Sequence, residues 1–190
     1  RYASRGLGDV YKRQNLNFEN IYSRNKYNFL LDEIANNKII SIFRGRHEFG
    51  PRALGNRSIL ANPNKKNMKD ILNKKIKFRE GFRPFAPIVT DKNAKNYFSL
   101  STNIENYKHM NINVNANLEA KKKFPSCVHV DNTSRVQVLE NKDNNFIYDL
   151  LDNLSEIYNI DCLINTSFNL DKMPIVNTPQ DAIGAFYSSG

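Results

Sequence analysis

Residues 39–58 read IISIFRGRHEFGPRALGNRS. The apolar residues 39–43 have the length of a buried β-strand, and residues 44–58 contain four arginines and three glycines. Glycines let a ligand approach the backbone at the end of a strand, and arginines supply planar pairs of donors for phosphate or carboxylate. The stretch therefore predicts an anion site at a strand end, while a surface turn with solvated arginines is the structural alternative.

Helices and strands alternate along the rest of the chain. Apolar residues at helical spacing, or an N-cap followed by proline, predict helices over residues 27–37, 68–76, 146–158 and 179–187. Short apolar or alternating runs predict strands over residues 58–61, 85–89, 135–139 and 162–164. Residues 99–124 are polar and rich in Asn, so we expect an irregular surface loop there. Such alternation is typical of an α/β domain.

The composition is that of one folded domain. Of the 190 residues, 40% are hydrophobic and 25% are charged, and no apolar run has the length of a transmembrane helix. Cys127 and Cys162 form neither a disulfide framework nor a zinc or redox motif, so we expect a cytoplasmic protein without a membrane partner. His47 and His109 lack partners at metal-ligand spacing, so we predict no protein-ligated metal.

The first fourteen residues, RYASRGLGDVYKRQ, differ in composition from the Asn-, Lys- and Ile-rich chain that follows. They contribute +3 to the formal net charge of +9. Residues 9–14 resemble the translation of a sequencing-transposon end. We therefore expect residues 1–14 to be a non-native assembly artefact, and residues 15–190 to be a single domain that is truncated at both ends.

Basic and aromatic residues alternate in residues 74–87, KKIKFREGFRPFAP. This alternation also occurs where single-stranded nucleic acid stacks on a protein. However, Phe82 and Phe85 flank a rigid Arg-Pro step and can equally anchor Arg83 against the core. The arginines cluster in turns and at strand ends rather than along one helix face, which argues against nucleic acid as the partner. A nucleic-acid-binding domain is nevertheless kept as an alternative function.

Two further stretches place polar side chains beside predicted strands. In residues 128–137, VHVDNTSRVQ, polar side chains alternate. On a strand they would share one face, which lines either a polar cavity or a solvated surface. In residues 163–169, LINTSFN, a buried strand leads into hydroxyl and amide side chains. Ser167 lacks the G-x-S-x-G context of a nucleophile, so we expect it to form hydrogen bonds.

Five segments resemble, in the same order, the C-terminal domain of the nodulation- and antibiotic-type (NodU/CmcH-type) O-carbamoyltransferases. They read GRHEFGPRALGNRSILANP, MKDILNKKIKFREGFRPFAP, HVDNTSRVQVL, LINTSFNL and MPIVNTPQDAI. The resemblance begins near Ser41, and His47 stands at a position that is often apolar in the family. It implies a YrdC/Sua5-like α/β fold, a twisted mixed sheet with flanking helices around a basic cavity. The threonylcarbamoyl-adenylate branch of the same superfamily, which acts in tRNA modification, is a second alternative.

The resemblance also implies an activity and its substrates. Domains of this kind bind carbamoyl phosphate and ATP, which brings Mg²⁺ with it, and form carbamoyl-adenylate. An N-terminal Kae1-like domain, which we expect to be missing here, then passes the carbamoyl group to a hydroxyl of the acceptor substrate. Carried over by motif, the catalytic residues are Arg52, Lys77, Arg83 and Arg135. The substrate- and nucleotide-binding residues are Arg46, Arg57, His129, Asn165, Thr166, Ser167 and Asn169.

Overall fold

A computed structural model describes residues 24–189 of the chain. The predicted assembly artefact at residues 1–14 lies outside the described residues. The described residues form a five-stranded mixed sheet with helices packed on both faces. This architecture confirms the predicted fold class, an α/β domain with a mixed sheet and flanking helices.

The strands of the main sheet are β1 (Ile40–Phe43), β2 (Arg57–Ala61), β3 (Ala86–Thr90), β6 (Gln137–Leu139) and β7 (Cys162–Ser167). Their spatial order is β1-β2-β7-β3-β6. The pair β3 and β6 is parallel, and the other neighbouring pairs are antiparallel. A separate two-stranded ladder joins β4 (Val114–Asn115) to β5 (Thr133–Ser134). The long strand β7 therefore lies at the centre of the sheet, between β2 and β3.

The helices are α1 (Arg24–Ala35), α2 (Met68–Ile71), α3 (Asp91–Tyr97), α4 (Leu118–Lys123), α5 (Asn145–Tyr158) and α6 (Pro179–Ser188). Helix α2 continues into a π-helix at Leu72–Lys77, and a 3₁₀ turn forms at Ile104–Tyr107. Helix α6 begins with the predicted Thr178 cap, which forms a capping box with Asp181. Of the helices within residues 24–189, none is long and apolar enough to cross a membrane.

Alternate residues of the central strands pack into two separate cores. On one face, Leu60 of β2 and Leu163 of β7 pack with apolar residues of α1 and α5. On the other face, Ile59 and Ile164 pack with the π-helix and with residues of α3, α4 and α6. Burial on both faces explains why β7 is apolar from Cys162 to Ile164 without alternation.

The prediction of an irregular loop over residues 99–124 was wrong. The segment contains the 3₁₀ turn, β4 and α4, and it buries Tyr107, Val114 and Phe124. These elements are short, and their apolar residues follow no regular period, so the sequence gives no periodic signal for them. Helix α3 was also not predicted, because only Ala94 and Tyr97 of its seven residues are buried.

Candidate functional site

A cavity of about 300 Å³ opens where β7 ends beside the start of β3 and the loop before β2. Its wall consists of Pro51, Arg52, Ala53, Arg79, Arg83, Pro84, Phe85, Ala86, Met110, His129, Arg135, Asn165, Thr166 and Ser167. Four of these residues are arginines, and none is Asp or Glu. The wall therefore combines concentrated positive charge with neutral hydrogen-bonding groups, which suits an anionic ligand.

The loop that carries Arg52 is fixed by hydrogen bonds from its backbone N–H groups to nearby side chains. One carboxylate oxygen of Glu48 accepts hydrogen bonds from the backbone N–H groups of Leu54 and Asn56. Gly55 has φ of 126°, donates to Ser58 Oγ at 2.9 Å, and leaves no room for a Cβ, which would lie 2.9 Å from Asn144 Nδ2. Arg52 itself is exposed, and no residue within 24–189 forms a hydrogen bond or ion pair with its side chain.

Arg79 and Arg83 reach the cavity from the turn that follows the π-helix. The Nε of Arg79 donates to Asn73 Oδ1 at 2.7 Å, and its guanidinium lies 4.7 Å from the centre of the Phe85 ring. Burial, together with the neighbouring charge of Arg83, lowers the pKa of Arg79. Arg83 pairs with Glu80 at 2.9 Å, and about half of each of these two side chains is exposed. Two guanidinium groups therefore approach the cavity from one short turn.

Lys77 lies beside the cavity rather than in its wall. Its ammonium group donates to the backbone carbonyls of Ser167 and Asn169 and to Asn169 Oδ1 at 2.7 Å. None of the carboxylates within residues 24–189 lies within salt-bridge distance of it. Burial of Lys77, which is 6% exposed, and the positive charge of Arg79 lower its pKa to about 7. Lys77 thus contacts the cavity through Ser167, which is part of the wall.

Hydrogen bonds connect the end of β7 to the arginine loop, residues 44–56 between β1 and β2. Asn165 Nδ2 donates to the backbone carbonyl of Ala53 at 3.0 Å and to Gln137 Oε1 at 2.7 Å. Gln137 in turn donates to the carbonyl of Leu54 at 3.1 Å. Thr166 and Ser167 follow in the wall, and Ser167 Oγ donates to Asn169 Oδ1 at 2.7 Å. This network holds the loop against the sheet and leaves Ser167 in a hydrogen-bonding role.

His129 and Arg135 face the cavity from either side of a turn, not from one continuous strand as the alternating pattern suggested. The N–H of Asn132 donates to the His129 carbonyl, with Asn132 in the left-handed region at φ 67°, and β5 is only two residues long. Burial lowers the pKa of His129, which favours the neutral imidazole at pH 7. Arg135 donates from Nε to Asn113 Oδ1 at 3.4 Å.

Three predicted binding residues lie outside the wall: Arg46, Arg57 and Asn169, the last of which accepts hydrogen bonds from Lys77 and Ser167. Arg57 is 5% exposed and donates to the carbonyls of Arg44, Gly45 and Asn56, while its guanidinium stacks 3.7 Å above the Phe43 ring. It therefore holds the base of the arginine loop. Arg46 is exposed and does not line the cavity. By contrast, Arg79 lines the cavity and was not among the predicted site residues, although it lies between Lys77 and Arg83 in the basic-aromatic segment, residues 74–87.

Comparison with known families identifies the domain. The family model described as carbamoyltransferase C-terminus matches residues 31–190. The chain belongs to the carbamoyltransferase C-terminus family. An uncharacterised protein of Methanocaldococcus jannaschii is 44% identical over 153 residues, covering 80% of this chain and 25% of that protein. Nodulation protein NolO of Bradyrhizobium diazoefficiens is 38% identical over 158 residues, covering 83% of this chain and 29% of that protein.

Other comparisons agree with this assignment. Nodulation protein U of Rhizobium tropici is 40% identical over 137 residues, covering 72% of this chain and 23% of that protein. The chain thus spans about a quarter of the length of the curated relatives it matches. A solved structure of full-length HypF, in a phosphate- and nucleotide-bound form, superposes with a TM-score of 0.59 at 15% identity. That match covers 90% of this chain and 20% of HypF, and it supports the fold alone.

In this carbamoyltransferase C-terminus domain, the geometry favours charge neutralisation over proton transfer. The wall offers guanidinium, amide and hydroxyl groups, and burial lowers the pKa of its one imidazole. Residues 24–189 contain no cluster of three or more His, Cys, Asp or Glu side chains that could hold a metal ion. The site can therefore bind and orient an anion through preorganised donors.

Proposed function

We propose that this domain binds carbamoyl phosphate and ATP and forms carbamoyl-adenylate as one step of an O-carbamoyltransferase reaction. The observation that carries the proposal is the cavity wall, with four arginines, three short hydrogen-bonding side chains and no carboxylate. Carbamoyl phosphate is a small dianion with a neutral amide. The arginines match the phosphate, and Asn165, Thr166 and Ser167 match the amide.

The proposed reaction balances with one molecule of water. Water releases inorganic phosphate from carbamoyl phosphate and leaves carbamate. A carbamate oxygen then attacks the α-phosphorus of ATP, the bond from that phosphorus to the bridging oxygen breaks, and pyrophosphate leaves. Mg²⁺ enters as part of the ATP substrate. Both steps bring anions together, so the arginines would act by neutralising charge and positioning the reactants.

The position of each basic side chain suggests its role. Arg52 and Arg83 are exposed at the cavity and are available to bind the incoming phosphates. Arg135 and His129 line the cavity from either side of the turn between them, and Lys77 would support the ligand through Ser167. Hydrogen bonds to charged groups contribute about 1.5–3 kcal/mol each, so several of them are enough to hold a dianion after desolvation.

The acceptor step belongs to the part of the enzyme outside this chain. We propose that a Kae1-like domain receives carbamoyl-adenylate and transfers the carbamoyl group to an acceptor hydroxyl. We also place the reaction in the cytoplasm, where ATP is available. The free, buried thiols of Cys127 and Cys162 are compatible with that reducing compartment.

The test is ATP–pyrophosphate exchange measured with and without carbamoyl phosphate, on protein shown to be folded by circular dichroism and a cooperative thermal transition. We expect exchange that requires carbamoyl phosphate. Acetyl phosphate, which carries the same phosphate but no amide, is the matched negative control. A folded protein that shows no exchange, and no heat on calorimetric titration with carbamoyl phosphate, would refute the proposal.

A further inference from the structure

We propose that Arg79 is a further anion-binding residue of the cavity and that Asn73 is the residue that positions it. The inference deepens the proposed function and rests on it for the identity of the anion, carbamoyl phosphate or the phosphates of ATP. The two residues lie six positions apart, on either side of the end of the π-helix at Lys77.

The guanidinium of Arg79 is held on one edge and one face. Its Nε donates to Asn73 Oδ1, and its Cζ lies over the Phe85 ring. The two terminal nitrogens form no hydrogen bond or ion pair with any residue in the range 24–189, and Arg79 lines the cavity. Since the Nε edge is occupied, these terminal nitrogens remain as the pair that can donate together to two phosphate oxygens.

Asn73 connects this arginine to the second arginine of the same turn. It is fully buried, and its Nδ2 donates to the backbone carbonyls of Arg83 at 2.9 Å and Gly81 at 3.3 Å. The backbone carbonyl of Asn73 accepts a hydrogen bond from the backbone N–H of Arg79 at 3.1 Å. Turning the amide over would oppose its oxygen to two carbonyls and its nitrogen to a donor, so its partners permit one orientation. One buried amide thus fixes a turn that presents both Arg79 and Arg83.

The charges around Arg79 are arranged for a ligand. Arg83 and Lys77 are both close enough to repel it, and the pKa of Lys77 falls partly because of Arg79. The carboxylate of Glu80, which partly offsets this repulsion, pairs with Arg83 at an exposed position. An anion in the cavity would relieve this repulsion, and a solely structural arginine would not need to face a cavity whose wall has no acid.

The binding role of Arg79 is tested by calorimetric titration with carbamoyl phosphate and, separately, with inorganic pyrophosphate. Arg79→Met keeps an apolar stem against Phe85 but removes the charge, and we expect affinity to fall roughly 10- to 100-fold. Arg79→Lys should lose nearly as much, since an ammonium supplies neither the bond to Asn73 nor the paired donors. Lys122→Met removes one exposed cation from α4 and should change neither affinity.

The positioning role of Asn73 is tested by a double-mutant cycle. Asn73→Ala should weaken pyrophosphate binding about tenfold in the otherwise unchanged protein but no more than about threefold in the Arg79→Met background. An equal loss in both backgrounds would show that Asn73 does not act through Arg79. If Asn73→Ala does not fold, Asn73→Asp serves in the same cycle, because its carboxylate would pair with Arg79 and compete with the anion. Failure of both variants to fold would reject the positioning role in favour of a structural one.

The two readouts separate this inference from the proposed function. Arg79→Met that binds both anions within twofold of the unchanged protein would overturn the inference, whatever the exchange assay shows. Failure of both Arg79 variants to fold would likewise overturn it, because Arg79 would then be a structural residue. If the unchanged protein shows no carbamoyl-phosphate-dependent exchange but Arg79→Met still loses pyrophosphate affinity, the proposed function fails while the anion-binding role of Arg79 stands.

Discussion

Lys77 and Lys123 are both withdrawn from water, but different groups surround their ammonium nitrogens. The Nζ of Lys123 lies 2.6 Å from Asp161 Oδ2 and also donates to Asn159 Oδ1. Although partial burial lowers the pKa of Lys123, its bond to Asp161 raises the value overall. Within the part of the chain that the structure describes, the oxygens around Lys77 are all neutral, and burial lowers its pKa to about 7.

In a strongly basic chain, this difference distinguishes the cations of a ligand site from those that the fold already neutralises. A cation that meets a carboxylate is already neutralised by the fold, as Lys123 is by Asp161. The cations around the cavity meet carbonyls, amides and aromatic rings instead, with the exposed Glu80 as the exception. The formal net charge does not separate these two environments, whereas the distribution of carboxylates does.

The largest effect should follow removal of a cavity arginine. Arg83→Ala and Arg52→Ala should each reduce carbamoyl-phosphate-dependent ATP–pyrophosphate exchange by about 100- to 1000-fold, because each removes a guanidinium group that neutralises negative charge at the cavity. Arg→Lys should also fail at both positions, since a point charge does not replace a planar pair of donors.

These arginines are exposed, so the unfolding transition should remain within a few degrees of that of the unchanged protein. Lys142→Ala, which removes a cation of comparable exposure elsewhere, is the matched control for exchange. Exchange retained at more than half the normal rate in both alanine variants would contradict the assigned roles.

The next effect concerns the paired lysine. Asp161→Asn should lower the free energy of unfolding by about 2–3 kcal/mol, because it leaves the partly buried Lys123 without its counter-charge. The substitution also weakens the hydrogen bonds that the hydroxyl groups of Tyr97 and Ser155 donate to the side chain of residue 161. Urea unfolding followed by circular dichroism measures the loss, and exchange per folded molecule should be unchanged. A loss below about 0.5 kcal/mol would mean that this pair contributes no more than an exposed one.

Much of the fold could be predicted because its longer elements have a regular pattern. Helix α5 buries residues at spacings of three and four, the apolar first half of β7 marks a central strand, and Thr178 marks the start of α6. The short elements between residues 99 and 124 could not be predicted, because contacts distant in sequence define them. Phe98 bridges to Ala116, and Asn117 caps α4 while donating to the carbonyl of Asn96.

The candidate site was predictable as a set of segments but not as a set of side chains. The arginine loop, the basic-aromatic segment and the end of β7 do meet at one cavity. Which arginine of each segment faces inward depends on partners that the sequence does not reveal. Arg57 donates hydrogen bonds to backbone carbonyls of the arginine loop, whereas Asn73 and Phe85 hold Arg79 in the cavity wall.

A smaller effect should appear in the protonation of Lys77. Its pKa is about 7 in the folded protein and about 10.5 in the unfolded chain, so at pH 8 the folded form is mostly neutral. A bound anion would favour the ammonium form, so binding at pH 8 should take up as much as one proton. Affinity should fall as the pH rises from 7 to 9. Calorimetry in two buffers of different ionisation enthalpy measures this uptake.

Lys77→Met is the control for that uptake, because His129 also lies at the cavity and can gain a proton. Proton uptake that persists in Lys77→Met would assign the effect to another group.

The lowered pKa of Lys77 also affects the free energy of unfolding. Since the folded state binds fewer protons than the unfolded state between pH 7 and 10.5, the contribution of Lys77 to stability should rise with pH across that window.

The smallest effect on stability and on anion affinity should come from breaking an exposed ion pair. Lys122 lies 3.3 Å from Glu119, with 74% and 61% of the two side chains exposed. Water already screens both charges, so Lys122→Ala should change the free energy of unfolding by less than about 0.5 kcal/mol and leave anion affinity within twofold. Urea unfolding and pyrophosphate titration measure the two quantities. A larger change in affinity would mean that anion binding responds to the overall charge of the domain rather than to the cations that line its cavity.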